Sequence, residues 1–133
     1  NVQEWRFVVV TDRGTREALA DAASGQTFVG QAPVVIVACA ETDGRSMRCG
    51  HAAFLVDVSI ALDHLTLAAV EEGLGTCWIG SFDPDAVRRI LSIPREIEVV
   101  ELMPLGYPKE PGAGRKSRVA LEKIVHRERW GGQ

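Results

Sequence analysis

A chain of 133 residues, 46% hydrophobic and 25% charged, has the size and balance of one domain that buries its own core without disulfide staples. Its 15 basic and 18 acidic side chains leave a net charge of −3, which argues against nucleic acid as a partner, because domains that bind that polyanion carry a basic excess. Three cysteines, Cys39, Cys49 and Cys77, are odd in number and widely spaced, so neither a disulfide nor a metal framework follows from them.

In chain order, the first element is Trp5 to Val10, whose continuous apolar run predicts an inner strand covered on both faces. Asp12 offers a helix cap, and Ala18, Leu19, Ala22 and Ala23 fall on one side of a short helix ending near Ser24-Gly25. Val34 to Ala40, opened by Pro33, is too uniformly apolar for a strand with one wet face and reads as central. Glu41 to Gly50 reads as an exposed loop. Cys39 and Cys77 lie in apolar strand candidates and read as small buried hydrophobes.

From His51 to Glu72 runs the strongest periodic signal: Phe54, Val58, Ala61, Leu65 and Ala68 keep helical spacing, and Val56, Ile60, Leu67 and Val70 form a second apolar line. A helix apolar on two sides is buried on two sides, by its own core or by a partner, and in so small a domain this favours a homodimer interface over a monomer core helix. Asp57, Asp63 and His64 interrupt the segment, so no membrane span is expected.

Gly73 to Phe82 holds three glycines in eight residues. Gly73 suits a left-handed helix end, while Gly75 and Gly80 suit tight turns or close approach to a flat ligand, with Thr76 to Ile79 as a short β-prone run. On spacing alone, Trp78 could equally be a core residue. Asp83-Pro84-Asp85 then supplies an N-cap, a first-turn proline and a first-turn acid. Val87, Ile90 and Leu91 line a helix stopping before Pro94, and Glu98 to Tyr107 forms another strand. The tail from Lys109 is irregular and basic, with an amphipathic piece at Leu121 to Val125 that must lie against this chain or another. No repeat or linker divides the chain, which is expected to be one domain over residues 1–133.

Self-sufficient catalytic signatures are missing. The sequence has no GxSxG elbow, HExxH, P-loop or strand-to-helix GxGxxG, and His51, His64 and His126 are scattered.

In order and spacing, however, the chain resembles the FMN-dependent nitroreductases. The matching pieces are Asn1-Val2-Gln3-Glu4-Trp5-Arg6-Phe7, Ala32 to Val37, the Asp57 helix, Gly73 to Phe82, Leu105-Gly106-Tyr107-Pro108, and the basic tail leading to His126 to Trp130. The resemblance implies an α+β homodimer with a mixed, largely antiparallel sheet wrapped by helices, FMN sites in the dimer interface, and a carboxy-terminal tail crossing to the partner subunit. It implies that Trp78, Ile79, Gly80 and Ser81 meet the flavin ring, with backbone N–H groups near Gly80 facing its reactive N5 edge, and that Asn1, Gln3 and Gln26 line the same site. Lys116 and Arg118 would hold the phosphate; alternate residues of an extended chain point the same way and suit a dianion.

The implied activity is electron transfer from NADH or NADPH to a planar acceptor such as a nitroaromatic or quinone, by a ping-pong route through the flavin, which needs no acid–base triad. Two other readings share the motifs: a specialised member such as a flavin-dependent dehalogenase, and a non-catalytic flavin-binding or flavin-free dimer. Family members also carry an upstream arginine and serine motif at the FMN phosphate, to which nothing here corresponds, and Glu4 stands where proline is usual. Because residue 1 is Asn and not Met, the expectation is that an amino-terminal part of the domain precedes the sequence. Reduced thiols and no export signal ahead of the first strand give a cytoplasmic expectation.

Overall fold

The structure is a computed structural model that describes residues 2–110 and 117–132. Four strands form a sheet in the order β1-β2-β4-β3: β1 (Trp5–Val10), β2 (Val34–Glu41), β3 (Gly75–Thr76) and β4 (Ile97–Gly106). All three pairings are antiparallel. Helices α1 (Arg13–Ala22), α2 (Thr27–Gln31) and α4 (Pro84–Leu91) lie on one side, and α3 (Ala53–Glu71) lies on the other. This is the α+β, antiparallel architecture that the sequence predicts.

The uniformly apolar β2 is explained by its position. Val35, Val37 and Cys39 face a core completed by Leu19, Val29, Val87 and Leu102, whereas Ile36, Ala38 and Ala40 face a second core under Val58 and Leu62 of α3. Both faces of the strand are dry, as its central place requires. Burial pushes the Cys39 thiol up to about 11, so this group is an inert core residue.

Helix α1 starts at Asp12, whose carboxylate accepts from the Thr15 N–H at 2.8 Å, and α4 starts at Asp83, which accepts from the N–H groups of Asp85 and Ala86. Helix α3 ends at Gly73, with φ of +73°. The Leu74 N–H reaches back to the Ala69 carbonyl and the Gly73 N–H to that of Val70, the paired bonds of a Schellman stop.

Several expectations are corrected. Strand β1 is an edge strand, not an inner one: Val8 and Val10 face the core, but Phe7 and Val9 of the other face are exposed in the single chain. A continuous apolar run cannot separate a strand covered on both sides by its own chain from an edge strand with one apolar face open. Cys77 is exposed rather than buried, because it lies beyond the two residues of β3 in the loop that follows. The β-prone run to Ile79 is only partly strand: β3 ends at Thr76, and Ile79 rejoins the sheet through a single bridge to Leu102. Helix α2 was not expected at all.

By length and composition α3 could cross a membrane, despite its three polar interruptions. Its inner side instead covers the sheet, while Leu55, Val56, Ile60, Leu67 and Val70 stay exposed in the single chain.

Gly106 is fixed by packing. A Cβ there would stand 2.6 Å from Cδ of Pro33, closer than any real contact. Gly106→Ala is therefore expected to cost roughly 1–3 kcal/mol as an overpacking change. Thermal melts of the two proteins check this, and equal melting temperatures would contradict it.

Candidate functional site

The candidate site is built on the loop from Cys77 to Phe82, between β3 and α4. Ile79 anchors it. The Ile79 side chain is 4% exposed in the core, its N–H donates to the Leu102 carbonyl at 2.9 Å, and its carbonyl accepts from the Leu102 N–H at 3.2 Å. Alternate residues of an extended segment point to opposite faces, so pinning Ile79 inward turns its neighbours outward. Trp78 is accordingly 42% exposed, and Gly80 and Ser81 are also exposed. Trp78 is not a core residue; the loop presents its indole on a surface.

The end of α1 supports the other side. The Asp83 N–H donates to the Ala22 carbonyl at 2.9 Å, and the Ser24 and Ser81 hydroxyls lie 3.3 Å apart. Gln26 uses its side-chain amide to donate to the Ala23 carbonyl at 2.9 Å and, more weakly, to the Ser81 carbonyl at 3.4 Å. A shallow groove of about 820 Å³ runs here, between Ala18, Asp21 and Ser24 on one side and Gly80 to Asp83 on the other. Among the described residues no hydrogen bond engages the N–H of Gly80 or Ser81, so two exposed backbone donors remain available. The structure thus brings Gln26 to Ser81 and sets Gly80 and Ser81 on the groove, with Ile79 anchoring the loop from below; Trp78 is exposed on the same loop but does not line that groove.

Other predicted residues lie elsewhere. Gln3 precedes β1, at the sheet edge opposite β3, so three strand spacings of about 4.8 Å separate those edges within one chain. Its φ of +57° is uncommon for a side-chain-bearing residue, and the Arg6 guanidinium holds the turn by donating to the Gln3 carbonyl at 2.9 Å. Arg118 is exposed, donating only to the adjacent Ser117 carbonyl at 3.3 Å among the described residues. Asn1 and Lys116 lie outside the described residues.

Two acids were not singled out from the sequence as site features. Glu4 is 2% exposed; its carboxylate accepts from Thr42 Oγ1 at 2.7 Å and Arg45 Nη2 at 2.9 Å. Arg45 also stands 3.6 Å from Asp57 of α3, so Glu4 ties the entry to β1 to the following loop and to that helix. Glu101 of β4 lies beside Gly80, and burial pushes its carboxyl above the ordinary range. Neither contact has a signal in sequence spacing, because the partners are more than twenty residues apart.

Among the described residues no cluster of His, Cys, Asp and Glu could hold a metal ion. The half-buried His126 ring meets that of Trp130 in the tail at a 53° tilt, with centroids 4.5 Å apart, far along the chain from this loop.

Comparisons with known proteins place the fold in a family. A family model described as the Nitroreductase family matches residues 24–107. An NADH dehydrogenase of Thermus thermophilus is 33% identical over 94% of this chain and 76% of its own length. A protein named putative NADH dehydrogenase/NAD(P)H nitroreductase from Archaeoglobus fulgidus is 32% identical over 98% of this chain and 76% of its own. Among solved structures, a nitroreductase family protein of Clostridium novyi superimposes with a TM-score of 0.75 at 34% identity, over 80% of this chain and 64% of that one. The NADPH:FMN oxidoreductase of Vibrio harveyi complexed with NAD+ does so at 0.82 and 27%, over 96% and 60%. The chain belongs to the Nitroreductase family. It spans about three quarters of those curated relatives and less than two thirds of those solved structures.

Proposed function

We propose that the protein is an NAD(P)H-dependent flavin oxidoreductase that binds FMN on the Trp78–Ser81 loop and reduces a planar acceptor such as a nitroaromatic or quinone. The observation that carries this reading is the outward face of that loop: an exposed indole and two backbone donors without a partner among the described residues, on a loop pinned to the sheet by Ile79. The names of relatives point the same way, one being an FMN reductase [NAD(P)H] of Bacillus subtilis.

The residues present fit a flavin ring. Gly80 has no side chain to block a flat molecule, its N–H and that of Ser81 can donate to ring acceptors, and Trp78 can stack. The Gln26 amide, already at the Ser81 carbonyl, can serve a polar ring edge. Lys116 and Arg118 would take the phosphate. FMN, when bound, supplies hydride acceptance from NAD(P)H and electron delivery to the acceptor in turn, a ping-pong sequence. The chain's share is orientation, stacking and exclusion of water, which is why no acid–base triad accompanies the site.

A homodimer completes the reading. The outer apolar line of α3, the open face of β1 and the tail residues Val119, Leu121, Ile124 and Trp130 are all exposed in the single chain, and Trp130 is 91% so. One apolar surface and one apolar tail, neither covered, are what an isologous pair with a crossing tail would bury. Gln3, far from the loop of its own chain, would then serve a site made with the partner subunit.

The first test is binding. Purified protein titrated with FMN is expected to show quenching of flavin or tryptophan fluorescence and to stay yellow once excess FMN has been removed by desalting; a protein left colourless by that step would favour a flavin-free dimer of the same fold.

A further inference from the structure

Glu101 carries an observation that flavin binding by the backbone alone does not absorb. The bridge between Ile79 and Leu102 is antiparallel, so the next pair outward sets Gly80 opposite Glu101. A Cβ on Gly80 would stand 3.8 and 3.9 Å from the two carboxyl oxygens, which places the acid in the space left by the missing side chain. Its Oε1 is buried with no hydrogen-bond partner among the described residues.

Among the described residues the surroundings offer no counter-charge. Its register partner is Ala38, and the α3 side of the sheet around it is lined by Ile36, Ala40, Met103, Val58 and Leu62. The ionisable groups on neighbouring elements are engaged or face solvent. Asp57 is next to Arg45, Asp63 and His64 of α3 are exposed, Glu98 pairs with Arg88, and the Cys77 thiol is exposed. A buried carboxyl without a donor holds a proton more readily than an exposed one, and the pKa of Glu101 is raised by its burial. An unmet polar atom costs free energy unless something satisfies it.

We propose that Glu101 is a ligand-contacting residue of the Gly80 site, its carboxyl group donating a hydrogen bond, in the neutral form, to a polar edge of the planar molecule bound over that glycine. Without a Cβ at position 80, nothing of the loop lies between acid and ligand. A ligand over Gly80 would further bury the carboxyl and favour its neutral form. Binding is thereby coupled to uptake of one proton from solvent by the Glu101 carboxylate whenever that group is ionised in the free protein. The sign follows from the neutral carboxyl being the donor: affinity is full at low pH and falls as pH rises through the carboxyl's titration.

This inference rests on the flavin reading, and its test separates the two. The dissociation constant for FMN is measured between about pH 5 and 8 for wild type and Glu101→Gln. The FMN phosphate titrates near 6 but does so identically for both proteins, so it cancels in their ratio. The wild-type constant is expected to climb relative to the variant's, toward about tenfold per pH unit above the titration point, because only the protonated fraction binds well. Parallel profiles would overturn the proposal and leave the flavin reading standing, whereas no FMN binding at any pH would overturn both. Should the variant fail to fold, calorimetry of wild type with riboflavin, which lacks the phosphate, in two buffers of different ionisation enthalpy reads the same coupling. Net proton uptake that grows between about pH 5 and 8 supports the proposal, and zero uptake across that range overturns it.

Discussion

Changing Ile60 or Leu67 to Lys is expected to turn a stable dimer into a monomer. Both side chains stand on the outer line of α3, 52% and 63% exposed in the single chain, and that line continues through Val56 and Val70. The inner side of the same helix is already occupied by Val58 and Leu62 in the core, so these changes spare the fold of the subunit. In an isologous interface each substitution appears twice, and leaving an unpaired charge in a buried contact costs roughly 3–5 kcal/mol. Each 1.4 kcal/mol is about tenfold, so association should weaken by at least about a hundredfold. Sedimentation at micromolar concentration reads the result directly. A wild-type protein that sediments as a stable monomer would contradict the interface.

The second large effect is expected at the phosphate. Replacing Lys116 and Arg118 together by Ala should weaken FMN binding by about a hundredfold or more, since each charge-assisted contact contributes roughly 1.5–3 kcal/mol. Arg118 is exposed with only the neighbouring Ser117 carbonyl as a partner among the described residues, so its remaining donors are open to a dianion. Arg115 serves as the control: were the segment extended, its neighbour in sequence would point the other way, so loss of Arg115 is expected to matter much less. Added salt should weaken wild-type binding more than that of the double variant. Equal affinities for both proteins, measured by flavin fluorescence, would return these two residues to a solvated tail.

Much of the scaffold was legible because it rests on local signals. The two-sided apolar run of β2, the periodicity of α3, the glycine that ends it and the Asp83 cap each need only a few neighbouring residues to be read. The site loop was half legible. Its glycines and Trp78 marked the place, but spacing could not decide whether Trp78 or Ile79 faced the core; the bridge to Leu102 settles that, and it joins residues 23 apart.

What stayed hidden depends on long-range partners. Helix α2 has five residues, no side-chain cap and a glycine at position 30, so propensity gave no signal. It exists because Val29 fills the core and Gly30 lets α1 approach: a Cβ there would lie 3.2 Å from the Glu17 Cα. The edge position of β1 was hidden for a different reason, since an apolar face left open in the single chain reads like one covered by its own chain. Glu4 looked like a departure from the family pattern, and only its bonds to Thr42 and Arg45 show what the residue does in place of proline.

The central claim is electron transfer from a nicotinamide through a flavin held by this chain. Anaerobic stopped-flow mixing of the FMN-loaded protein with NADH, and separately with NADPH, tests it most directly. The account predicts that at least one of them bleaches the flavin absorption band and that a nitroaromatic or quinone added afterwards restores it; a flavin band that neither nicotinamide bleaches would contradict it.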